Sequence, residues 1–158
     1  MAASHSSASV TSAVAALPTI SVGHHLAPVA LGAPGPKQQM VFVPCPDWCT
    51  TNHVAEWVHF LEDLDHTGGE HSAQIGSFFN GDKPVYTLNT AVGSDPMSSD
   101  PQMRAAHVIV GDAGSVDAYL TPDMADGTAD SLERLAAKIR ENARTARQHN
   151  EQMAEVAA

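Results

Sequence analysis

Cys45-Pro46-Asp47-Trp48-Cys49-Thr50-Thr51-Asn52-His53, followed by His66-Thr67-Gly68-Gly69-Glu70-His71, is the stretch on which the reading of this chain turns. Both cysteines of the 158-residue protein fall within five positions, and four of its nine histidines (His53, His59, His66 and His71) follow closely. Thiolate and imidazole are the ligands that zinc prefers, and a structural zinc site takes four of them in a tetrahedron. Cys45, Cys49 and His53 supply three. His71 is taken as the fourth, with His66 as the alternative, so the spacing is Cys-x3-Cys-x3-His followed by seventeen or twelve residues. On a straight helix, positions eight apart are separated by about 12 Å of rise. Cys45 and His53 therefore cannot share one helix and one ion, and a metal site here demands a turn around Cys45. The competing reading makes Cys45 and Cys49 small buried hydrophobes packed around Trp48 and Trp57, because free cysteine is among the most buried residue types. A disulfide between them is disfavoured in a cytoplasmic protein.

Outward from this block, the pattern indicates an α+β domain. Met40-Val-Phe-Val43 is a short β-prone run ended by Pro44. Trp48, Val54, Trp57, Val58 and Leu61 keep roughly helical spacing, so residues 47–62 are expected to be helical in part, and Gly68-Gly69 to turn the chain. From Ala73 the period becomes two. Asn80-Gly81 marks a hairpin because both residues tolerate positive φ, and Val85 to Val92 returns as a strand. His107 to Gly111 and Ser115 to Leu120 add two more. A small antiparallel sheet of three to five strands is expected. After Thr121-Pro122 or Thr128 as a cap, Leu132, Leu135, Ala136, Ile139, Ala143, Ala146 and Met153 form one apolar stripe of a long amphipathic helix, expected to lie on the sheet. The expected organisation is a disordered Ala/Ser/Pro-rich arm over residues 1–36 and a single domain over 37–150. Within that domain lie a Cys/His segment (44–72), a meander (73–120) and a helix (122–150), with a frayed tail at 151–158.

Composition narrows the function classes. Apolar residues make up 43% of the chain but aromatics only 5%, so the core must rest on aliphatic side chains and has use for a metal or a partner. The net charge is −10, which opposes nonspecific nucleic-acid binding. Its distribution is uneven: residues 1–130 carry three basic and fourteen acidic side chains, residues 131–158 five basic and four acidic. The acidic body and the basic stretch of helix are suited to attract each other or a second copy. No apolar run approaches the ~20 residues that span a bilayer, and no basic leader precedes Lys37, so a cytoplasmic, non-membrane protein is expected. Phosphate-loop and dinucleotide patterns are absent; Gly111-Asp-Ala-Gly114 reads as a turn.

The block Cys45-Pro46-Asp47-Trp48-Cys49-Thr50 with His53, the later His71-Ser72 pair, the strands from about 73 to 120 and the helix from Leu132 to Ala146 together resemble a small actinobacterial family of uncharacterised proteins. That family is a domain of unknown function carrying a Cys-Pro-x-Trp-Cys-Thr-x-x-His block. The resemblance covers residues 41–147, implies an actinobacterial or phage setting, and brings no reaction with it.

The expected role is a non-enzymatic binding or regulatory module with a structural zinc held by Cys45, Cys49, His53 and His71, and an unknown protein partner. Two other classes remain. One is a thiol- or zinc-dependent enzyme, with Cys49 as nucleophile beside His53 or His71, although no thiol-enzyme signature surrounds it. The other is a nucleic-acid or protein-interaction accessory acting through Arg140, Arg144 and Arg147, against the plainer reading of a solvated helix face. His59 and His107 read as ordinary surface and sheet residues, and His5, His24 and His25 as solvated.

Overall fold

The computed structural model describes residues 20–81, 83–112 and 117–156. Two antiparallel sheets and one long helix make up the α+β architecture. Strands β1 (His24–Leu31) and β2 (Gln39–Pro46) form a two-stranded ribbon. Strands β3 (His66–Gly76), β4 (Pro84–Ser94), β5 (His107–Asp112) and β6 (Ala118–Leu120) form a meander in sequence order. A four-residue helix α1 (Pro101–Arg104) sits between β4 and β5, and α2 (Pro122–Val156) closes the chain.

The ribbon corrects the expectation of an arm reaching residue 36. Residues 24–31 are a strand; residues 1–19 lie outside the described residues. The Ala/Ser/Pro-rich composition argued against a strand there, and Pro44 argued for an end at residue 43, yet β1 runs through Pro28 and β2 runs on to Pro46. The register explains both. Pro28 faces Phe42, Leu26 faces Pro44 and His24 faces Pro46, so all three prolines occupy alternate pairs of the ladder. The N–H groups of Ala30 and Gly32, on the same side of β1 as Pro28, point away from β2 to the carbonyls of His53 and Val58. These are the pairs whose N–H groups face outward, and a missing donor there costs the β1–β2 ladder no hydrogen bond.

Residues 47–62 are turns, not the helix that the apolar spacing suggested; only Leu61–Asp63 makes a single 3-10 turn. Their backbone groups are committed elsewhere. Val58 N–H donates to Ala30 O, and Val58 lies in a parallel bridge with Leu31, so this segment runs along the outer edge of β1. Gly68-Gly69 likewise sits inside β3, where Gly69 (φ 63°) accompanies a register shift between Gly68 and His71. Strands β4 and β5 stand where expected, though Gly111 and Asp112 end β5 instead of opening a turn; β6 covers Ala118–Leu120, and the expected strand start at Ser115 and the turn through Gly114 lie outside the described residues. The β3–β4 hairpin turns at Asn80-Gly81, with Gly81 at φ 62°.

Thr121 caps α2, accepting from Met124 N–H at 3.3 Å, with Pro122 in the first helical position. The helix continues beyond the expected end at 150 to Val156, a length of about 52 Å. Its first turns, at Ala125, Thr128, Ala129 and Leu132, flank a groove against the sheet residues Leu88, Val108 and Val110. Beyond Leu132 the stripe leaves the sheet, and no residue of α2 is buried. Among the described residues the buried apolar side chains are Ala27, Val29, Ala30, Cys45, Leu64 and Leu120, all without an aromatic ring. His53 and His66 are buried among them, at 4% and 3% exposure. The core thus centres on the Cys/His block.

Candidate metal centre

Three short pieces of backbone bring the candidate ligands together. Cys45 is the penultimate residue of β2. The chain then reverses, with Cys49 N–H donating to Pro46 O at 3.0 Å and Asp47 N–H donating to Gly23 O at 2.9 Å. This is the turn around Cys45 that a metal site requires. Thr50 N–H donates to Thr67 O, and the Thr51 hydroxyl both donates to Thr67 O and accepts from Thr67 N–H. The loop is thereby pinned to β3 one residue after His66. Asn52 starts a further turn, its carboxamide oxygen accepting from the N–H groups of Val54 and Ala55, and that turn carries His53. Gly68 permits the approach, since a Cβ at that position would collide with the Trp48 carbonyl.

The four donors converge. Cys45 Sγ lies 3.6 Å from His53 Nε2 and 3.6 Å from His66 Nδ1; Cys49 Sγ lies 3.6 Å from His53 Nε2; the two ring nitrogens are 3.3 Å apart. All four lie within 4.8 Å of one another. Zinc bonds of about 2.3 Å to sulfur and about 2.0–2.1 Å to nitrogen at tetrahedral angles place two nitrogens about 3.3 Å apart and a sulfur and a nitrogen about 3.5 Å apart. The four separations given match four of the six edges of that tetrahedron. The cysteines are not joined in a disulfide.

Burial sets the protonation of the group. It lowers the His66 imidazole to about 4, with His53 adding to the effect and Asp65 opposing it. Burial also lowers His53, against the pull of Asp65 and Glu56. Both rings therefore hold a free lone pair at neutral pH, the form that binds metal. Burial pushes the Cys45 thiol up to about 12, with Cys49 and Asp47 adding to it. Two thiolates side by side in this pocket need a cation to be stable, and a divalent ion supplies that charge.

A family model described as a domain of unknown function (DUF6907) matches residues 30–148, three quarters of the chain. The chain belongs to the DUF6907 family. No curated protein and no solved structure matches it. The DUF6907 match takes in all four clustered residues and most of α2, and starts at the end of β1.

Of the residues singled out from the DUF6907 sequence, Cys45, Cys49 and His53 lie together, and the histidine that joins them is His66 and not His71. His66 opens β3 opposite Ser94, next to the docked loop. His71 lies past the register shift, opposite Thr90, with its side chain exposed. The signal for His66 was Gly68 two residues on, which marks close backbone approach, but only the partner segment reveals what approaches. His24, His25, His59 and His107 match the plainer readings. His107 Nδ1 is 3.0 Å from Ala105 O and its ring meets Tyr119 edge-on. His59 is exposed against Trp57, and His24 and His25 are exposed, His25 facing Asp47 at 3.2 Å; His5 lies outside the described residues. Among the described residues, no helix is long and apolar enough to cross a membrane.

Chemically, the cluster offers four protein donors to one ion, three of them buried and Cys49 half-buried. An ion that took all four donors in a tetrahedron would keep no coordination position for water or substrate.

Proposed function

We propose that this protein is a non-enzymatic binding or regulatory module whose fold is stapled by one zinc ion on Cys45, Cys49, His53 and His66. The observation that carries the reading is the match between the four-donor separations and a tetrahedral S2N2 site, in a core made otherwise of small aliphatic side chains. Zinc is favoured over softer or harder ions by the mixed thiolate and imidazole set. The ion would tie β2, the loop after it and the start of β3 into one unit, joining the two sheets at a point where hydrophobic burial is thin. Reduced cysteines suit a cytoplasmic setting. A closed site assigns the metal to stability, leaving binding to the exposed surfaces.

Metal analysis of protein purified under reducing conditions tests the reading, with about one zinc per chain expected. Cobalt substitution should give the visible ligand-field bands of a tetrahedral thiolate–imidazole site, and chelation should lower the melting temperature. Protein free of stoichiometric metal, whose melting chelators do not alter, would refute it.

A further inference from the structure

We infer that the face of the meander turned away from α2 carries a binding site for a small alkylammonium ion, with His107 Nε2 as the acceptor at its floor. The inference rests on β3 to β6 and stands apart from the metal reading. Register places the site. Val108 and Val110 line the groove under α2, so the alternate residues His107 and Ile109 point to the other face, together with their pair partners Gly93 and Tyr119. There a cleft of about 260 Å³ lies between the sheet, Met103 of α1 and residues 62–67.

His107 is a sheet residue only 8% exposed, yet its ring is half satisfied. Nδ1 lies 3.0 Å from Ala105 O, which can only accept, so Nδ1 carries the proton and the neutral ring keeps its lone pair at Nε2. Among the described residues every buried side-chain nitrogen and oxygen has a partner. Nε2 has none, so it is not sealed in but open to a cleft. Gly93 shows which one: a Cβ there would meet Nε2 at 3.2 Å, and Gly93 lines this cleft and not the neighbouring one at Ala105. A nearly buried acceptor facing open space calls for a donor.

Charge and shape select the ligand. Glu62, Asp63, Asp65 and Asp95 line the cleft, and among the described residues no lysine or arginine does and none of the four is in a salt bridge. Such a site repels anions and draws cations. The cation is not a bare metal ion. Among the described residues only the Cys45, Cys49, His53 and His66 cluster brings three or more donors within reach of one ion. Donating to Nε2 takes an N–H, which selects a protonated amine over a quaternary ammonium. Met103, Ile109 and Tyr119, whose ring meets the imidazole edge-on at 5.5 Å, offer an apolar wall to a few methylenes. The cleft is smaller than the ~300–1,000 Å³ that takes drug-sized ligands. A short primary alkylammonium group, of a free amine or of a lysine side chain, meets all of these conditions.

Amide chemical-shift titration of the full chain at low salt should show saturable binding of butylamine, with shifts at Gly93, His107 and Tyr119. Tetramethylammonium, which has the charge without the N–H, should bind at least about tenfold more weakly. The amine should lose as much on His107→Leu, since one charge-assisted hydrogen bond is missing in each case. His107→Gln, whose amide offers an acceptor near the position of Nε2, should stay within about threefold of wild type. That variant separates loss of the acceptor from damage to the fold. A blocked lysine amide, titrated beside butylamine, shows which source of the ammonium group fits better, and tighter binding of either supports the site. Absence of saturable binding up to about 10 mM overturns the proposal. So do equal affinities for butylamine and tetramethylammonium, which mean unselective attraction to carboxylates. A folded His107→Leu chain that binds the amine as wild type does overturns it as well.

Discussion

The two ends of this molecule are stabilised in opposite ways. Around Cys45 and His66 the chain is buried, turns sharply and interlocks three segments through paired backbone bonds, yet it has almost no hydrophobic bulk. At the far end of the β3–β4 hairpin and along α2 the elements are regular and long, but Ile75, Phe78, Phe79, Tyr86, Leu135 and Ile139 stand in solvent. Irregular backbone can be held by a few strong point contacts; regular elements satisfy their own hydrogen bonds and need only a surface to lie against. Polar donors therefore hold the end where the chain is least regular, and apolar side chains are spent on surface.

The sharpest way to break that comparison is to remove a donor. His66→Ala should abolish stoichiometric zinc binding and destabilise the protein by on the order of 5 kcal/mol, a fraction of the apparent ~10–16 kcal/mol of a structural zinc site. His71→Ala, on the exposed strand face, should retain the metal and change stability by no more than about 0.5 kcal/mol. Metal content and thermal melting of the two variants check this, and equal effects would undo the assignment of the fourth ligand.

A smaller effect tests the interlock without touching a ligand. Gly68→Ala should cost about 2 kcal/mol, because the added methyl meets the Trp48 carbonyl and forces the cysteine loop off β3. Gly76→Ala, on the same strand with open space around it, should be neutral within about 0.5 kcal/mol. Denaturant melts of the pair separate close approach from the general entropy of glycine.

Acid offers a third comparison. In chelated protein the folded His66 takes up its proton only near pH 4, whereas the unfolded imidazole does so near 6.5. Between those values the unfolded chain binds more protons, so the stability His66 contributes is complete above pH 6.5 and drains away as the pH falls towards 4. His53, lowered in the same direction, adds to the loss. Urea melts in chelator between pH 7.5 and 4.5 should show this decline, and a flat profile would contradict it.

The mildest change is at the other end. Phe78→Ser with Phe79→Ser at the hairpin tip should leave zinc content unaltered and stability within about 0.5 kcal/mol, as both rings are 83–89% exposed. A large loss would mean that the two ends are more alike than their burial suggests.

Legibility in the sequence follows the same division. The meander and α2 were readable because their signals are local: period two from Ala73, Asn80-Gly81 at the turn, Pro122 behind a capping threonine, and a stripe from Leu132. β1 was not, since Pro28 forbids a strand only if its N–H is needed, and that depends on which side of β1 faces β2. The helical spacing of Trp48 to Leu61 misled for a related reason. The hydrogen bonds of that segment are taken up by β1, which no property of the segment itself announces. Nor could the stripe of α2 say how far along its length the sheet would cover it.

Taken by itself, the order of residues determined that this would be an α+β chain with regular strands, a capped helix and a block of thiols and imidazoles, because propensity, turn chemistry and ligand type act over a few positions. Tertiary structure alone decided that His66 and not His71 completes the cluster, that residues 24–31 join β2, and that α2 leaves the sheet beyond Leu132. Each of those outcomes depends on distances between segments far apart in the chain, and such distances are set only when the segments pack.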